Sequence, residues 1–130
     1  MKTSKNPETV HQPLGAYVHQ IEVTGDNRWL NLSGQIGMDS EKDVPENVAE
    51  QFELALTNIS LNLIAAGMSV QNLTKMVLYF VDPIDLEVRT KILTDFLAGT
   101  EVCMTLLYVK ALATPAIKVE IDAWAAKEIE

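Results

Sequence analysis

Apolar residues recur along this chain at two periods, that of a half-buried strand and that of an amphipathic helix. In the stretch 117–124, Ile117, Val119, Ile121 and Ala123 share one face and Lys118, Glu120, Asp122 and Trp124 the other, which predicts a strand from Ile117 to Ala125. Tyr17 to Val23 alternates as well, Gly25-Asp26-Asn27 is turn chemistry, and Trp29 to Ser33 resumes an extended pattern. Together these predict a β-hairpin. At the helical period, Val48, Phe52, Ala55, Ile59, Leu63 and Ala66 form one stripe. Pro45 suits the first turn of that helix, Glu46 and Glu50 complement its positive end, and Gly67 stops it. Leu73 to Val81 reads as a mostly buried strand ended by Asp82-Pro83. Asp85 can cap a second helix carrying Leu86, Arg89, Leu93 and Phe96 or Leu97, with Gly99 at its end. A strand from about Met104 to Ala111 and a loop containing Pro115 lead into the last strand.

The order is ββαβαββ, preceded by a polar arm over residues 1–13 that contains Pro7 and Pro13. Strands joined through helices can pair in parallel and hairpins pair antiparallel, so the expected fold is α+β, a mixed sheet with two helices on one face. The other face is left uncovered. A second subunit is its expected cover, because Leu106, Tyr108 and Trp124 would otherwise make an exposed apolar patch.

Composition narrows the class. At 130 residues, 48% hydrophobic and 22% charged, the chain is a single globular domain spanning 1–130. No apolar run is long enough for a bilayer, and the N-terminal stretch lacks the apolar segment of a secretory signal. One cysteine, Cys103, allows no internal disulfide, so the expected location is the cytoplasm. Net charge is −8 with scattered basic residues, an acidic balance without the basic stripe that a nucleic-acid partner requires. His11 and His19 have no ligand-like spacing with Cys103 or the acids, so neither a metal nor another cofactor is expected.

Five segments, in order, carry a resemblance: Gly15-Ala16-Tyr17, Leu32-Ser33-Gly34-Gln35-Ile36, the helix from Asp43 to Ala66-Gly67-Met68, Lys75 to Asp82, and Val119-Glu120-Ile121-Asp122-Ala123. This series resembles the RidA/YjgF family of reactive-intermediate deaminases and covers nearly the whole chain. The resemblance implies a chorismate-mutase-like fold, a homotrimer, and small-molecule sites in the clefts between subunits. It further implies an arginine that pairs with the carboxylate of a 2-imino acid and a glutamate, here Glu120, that positions water for attack on the imine carbon. Tyr17, Ser33 and Gly34 would line such a site.

The chain departs from that pattern at the arginine, whose place falls on Met104 or Thr105, neither of them charged. Lys110 lies five or six residues along the same strand, roughly 16–20 Å away at about 3.3 Å per residue. Arg89, on the second predicted helix, is expected to reach the site only across a subunit boundary. Thr90 matches by count a family asparagine. Ser33 has no general-base partner in the sequence, which disfavours a serine nucleophile, and Cys103 reads as a buried, inert thiol. Two functions follow. One is a small-metabolite-binding protein without the usual 2-imino acid deaminase activity. The other is a hydrolase or deaminase of an altered imine or enamine, with Glu120 still positioning water.

Overall fold

A computed structural model describes residues 1–130. Four strands make one sheet in the order β3-β6-β4-β5: β3 (Asn27–Ile36), β4 (Leu73–Phe80), β5 (Cys103–Tyr108) and β6 (Val119–Glu128). β6 lies antiparallel between β3 and β4, and β5 joins β4 in parallel, so the sheet is mixed as expected. Helices α1 (Val48–Ala65) and α2 (Leu86–Leu97) pack together on one face. That face holds a core of 17 buried residues in which the Phe52 and Phe80 rings meet edge-on at 5.2 Å.

Local chemistry accounts for the helix ends. The Asn47 side chain accepts from Glu50 N and caps α1, so the helix starts three residues after Pro45 rather than on it. At its other end Gly67 turns at φ 70°, Gly67 N donates to Ile64 O, and Met68 N donates to Leu63 O. Both side chains of the last pair are in the core, which completes a Schellman stop. Asp85 caps α2 by accepting from Val88 N.

The predicted hairpin is not formed. The N-terminal arm begins with a strand of its own, β1 (Lys2–Lys5), which pairs antiparallel with β2 (Gln20–Val23) as a separate two-stranded sheet. β3 instead takes β6 as its partner. Turn residues at 25–27 signal a change of direction but do not choose the neighbour, and the cross-strand apolar pairs available from β6 decide it.

Strand register also corrects the expected apolar patch. Met104, Leu106 and Tyr108 stand opposite Met76, Leu78 and Phe80 and therefore face the helices. Of the expected patch Trp124 alone stays on the open face, together with Lys75, Val77 and Tyr79 of β4, Cys103, Thr105 and Leu107 of β5, and Glu120 and Asp122 of β6.

Candidate functional site

Two clusters hold the residues singled out in the sequence, one on each face of the sheet. The first is a cleft of about 380 Å³ between α2 and β5, closed at one end by the loop 14–17. Helical spacing puts Leu86, Arg89, Thr90 and Leu93 on the α2 side facing it, and strand alternation supplies Met104 and Leu106 from β5. Tyr17 joins them because its loop is tied down locally. Val18 N donates to Val102 O, Tyr17 N to Gly15 O, and Leu14 N to the Tyr17 hydroxyl at 3.1 Å. The two histidines belong to this scaffold. His19 Nε2 donates to His11 O at 2.7 Å, His19 N donates to the Asn6 side chain, and the His19 ring packs edge-on against Tyr17.

Arg89 stands in this cleft within the same chain, which corrects the expectation that it would need a subunit boundary to arrive there. Its Nη1 donates to the Tyr108 hydroxyl at 3.0 Å. The sequence gives no local hint of this contact. It arises because β5 pairs in parallel with β4 and α2 connects them, which leaves α2 and β5 on the two sides of one cleft.

The second cluster lies on the open face. Between Leu32 and Gln35 the β3–β6 register slips, and Ser33 and Gly34 form the irregularity. The Glu120 side chain lies over Gly34, so close that an added Cβ would stand 2.7 Å from its Cδ and 2.9 Å from its Cγ. Only glycine leaves that space for the carboxylate. Beside it, the Tyr79 hydroxyl donates to Asp122 Oδ2 at 3.0 Å. That bond, partial burial and the charges of Asp122 and Glu120 hold the phenol above its ordinary range. Lys75 Nζ donates to Thr105 Oγ1 at 3.0 Å. Partial burial pushes the Cys103 thiol up, with the Lys75 charge and a backbone hydrogen bond from Ile21 pulling the other way.

One chain therefore brings Tyr17 and Met104 together and keeps Thr105 and Glu120, with Gly34 beneath it, apart from them on the opposite face, while Ser33 lies in the irregularity next to Gly34. Between the two positions left open for the family's arginine, Met104 lines the cleft and Thr105 points away from it. No three His, Cys, Asp or Glu side chains gather as a metal site would require, and no helix is long and apolar enough to cross a membrane.

One residue of structural weight escaped sequence reasoning. Gln51 is 1% exposed within the apolar stripe of α1. Its Nε2 donates to Pro45 O and Ala116 O, and its Oε1 accepts from Lys118 N, which ties the segment before α1 to the start of β6. The signal was an amide at a stripe position, next to Phe52.

Two helices on one face of a β3-β6-β4-β5 sheet, with a cleft between α2 and the edge strand, define a small α+β domain of the YjgF/RidA fold. The chain belongs to the RidA/YjgF family: the family model described as endoribonuclease L-PSP matches residues 8–127. It is 31% identical over 121 residues to a RutC family protein of Buchnera aphidicola, covering 90% of this chain and 91% of that one. It is 31% identical over 125 residues to the 2-iminobutanoate/2-iminopropanoate deaminase of Bos taurus, covering 95% and 85%. Among solved structures, the Rid family protein YyfB of Yersinia pestis superposes with a TM-score of 0.84 at 22% identity, covering 97% and 98% of the two chains, and so shares the fold.

Proposed function

We propose that this protein is a homotrimer that binds a small metabolite in clefts between its subunits and does not deaminate small 2-imino acids at the rate of arginine-containing relatives. The observation that carries this reading is Met104. It occupies the cleft beside Tyr17, where the family resemblance calls for a guanidinium on β5, and a thioether cannot hold a carboxylate. A ligand whose carboxylate is aimed at position 104 thus lacks one partner of a desolvated charge pair, which costs about 2–5 kcal/mol, or roughly 30- to several-thousand-fold in affinity for that pose. Assembly follows from the two clusters. Tyr17 and Met104 lie on one face and Glu120 over Gly34 on the other, so a site using both needs a second copy of the chain.

The competing reading, hydrolysis of an altered imine or enamine, draws support from Glu120. Its carboxylate has no ion-pair partner within the chain and sits against the Ser33–Gly34 irregularity, where a water could be held. Binding of nucleic acid, as the family description would suggest, is disfavoured by the net charge of −8.

The test is to supply 2-iminobutanoate as an amino-acid oxidase forms it and to follow 2-oxobutanoate, with molar mass in solution measured alongside. The proposal expects three chains per particle and no acceleration over uncatalysed hydrolysis. Acceleration comparable to that of the bovine deaminase would refute it. Slower turnover that Glu120→Ala abolishes, with the oligomer retained, would favour the hydrolase reading.

A further inference from the structure

Arg89 is the one charged residue on the wall of the α2–β5 cleft, among the apolar side chains of Leu14, Leu86, Leu93, Met104 and Leu106. It has no counter-charge within its own chain. The ion pairs of the chain join the N-terminus to Glu128, Lys91 to Asp95 and Lys118 to Asp82, and Arg89 takes part in none. An arginine on a solvated helix face commonly finds an acid one turn away, as Lys91 does with Asp95. One turn before Arg89 stands Asp85, but its carboxylate caps α2 by accepting from Val88 N. Arg89 is half-buried, and its one side-chain hydrogen bond goes to the neutral Tyr108 hydroxyl. Most of its five N–H donors stay free in a largely apolar space.

We infer that Arg89 is the anion-binding residue of this cleft and that its ligand is a monocarboxylate with a compact apolar body. This rests on the small-metabolite reading above and names the ligand class. Three observations converge on it. The planar guanidinium fork matches a carboxylate in a bidentate pair. A single cation balances a single negative charge, which argues against phosphate esters. The apolar wall from Leu86, Met104 and Leu106 accepts hydrocarbon, and a space of about 380 Å³ exceeds what acetate or pyruvate would fill. The anion is then held from α2 rather than from β5, so the ligand lies across the cleft in a different direction from one anchored at position 104.

Calorimetric titration of the full-length protein with 4-methylpentanoate, its neutral amide 4-methylpentanamide, and acetate tests this. The inference expects 4-methylpentanoate to bind at least about tenfold more tightly than either other probe. Arg89→Met should reduce its affinity to that of the amide while leaving the amide unchanged, and Arg89→Lys should retain part of the difference. In the wild type, the Arg89 Nε–H resonance should shift on adding 4-methylpentanoate, a readout independent of whether the variants fold. Equal binding of acid and amide, unaffected by Arg89→Met, overturns the role of Arg89 and leaves the small-metabolite cleft standing. Tighter binding of a phosphate monoester overturns the monocarboxylate assignment. Binding of none of these probes overturns the inference and removes the cleft reading with it.

Discussion

Replacing Gly37 by alanine drives a methyl group into the backbone of α1. A Cβ built there stands 2.5 Å from the Gln51 carbonyl oxygen, 2.6 Å from its Cα and 2.8 Å from its carbonyl carbon. Carbon contacts are comfortable at about 3.5–4.0 Å, so the helix must retreat by about 1 Å. That retreat pulls on Gln51, whose side chain makes three hydrogen bonds between the segment before α1 and the start of β6. Overpacking costs about 1–3 kcal/mol, and weakening one buried hydrogen bond adds about 1 kcal/mol. The expected loss is therefore about 2–4 kcal/mol. Gly34→Ala is the internal control. The atoms nearest its Cβ belong to the flexible Glu120 side chain, which can swing aside, so the loss should stay below about 1 kcal/mol. Neither glycine has a positive φ, so backbone preference does not separate them. Urea unfolding of both variants measures the difference directly. Equal losses, or a Gly37→Ala change within about 0.5 kcal/mol of zero, would show that α1 does not seat on Gly37 as described.

Two further outcomes follow from the open face. Tyr79 keeps its proton above the ordinary value of 10.0 because it donates to Asp122 near a second acid, Glu120. A raised folded value gives stability that is complete below about pH 10 and lost as pH climbs through that raised value. The stability difference between wild type and Tyr79→Phe should therefore hold up to about pH 9 and shrink as pH climbs above about 10, and a difference in urea midpoints that stays constant from about pH 9 to pH 12 would contradict this. Burial raises Cys103 above its ordinary value of 9.0, so iodoacetamide should modify it more slowly than free cysteine at neutral pH, at a rate still rising through about pH 9. A rate that levels off below about pH 8 would mean the thiolate is stabilised rather than disfavoured.

The elements that could be read in the chain are those whose pattern is set by their own residues. β6 alternates from Val119 to Ala125, and four members of the predicted α1 stripe (Phe52, Ala55, Ile59 and Leu63) are all in the core. Asp85 caps α2 where the sequence placed a cap. Pairing partners were not readable in the same way. Lys2 to Lys5 is a short polar alternation that many strands could accept, and it is used by β2. Which face Leu106 and Tyr108 take depends on the parallel register with β4, and no local signal sets it. Arg89 was misplaced for the same reason. Its partner Tyr108 is 19 residues away, and only the parallel β4–β5 pairing, with α2 as its connection, brings them together. Between Met104 and Thr105, sequence count alone was neutral, and strand parity separates them.

That separation supplies the most direct test of the proposed function. Met104→Arg and Thr105→Arg each add one guanidinium to β5, the first inside the cleft beside Tyr17 and the second on the opposite face beside Lys75. Deamination of 2-iminobutanoate should rise by about 30-fold or more over wild type in Met104→Arg and stay at the wild-type level in Thr105→Arg. A gain in Thr105→Arg alone, or a wild type already as active as Met104→Arg, would contradict the assignment of Met104 as the residue that replaced the family's carboxylate anchor.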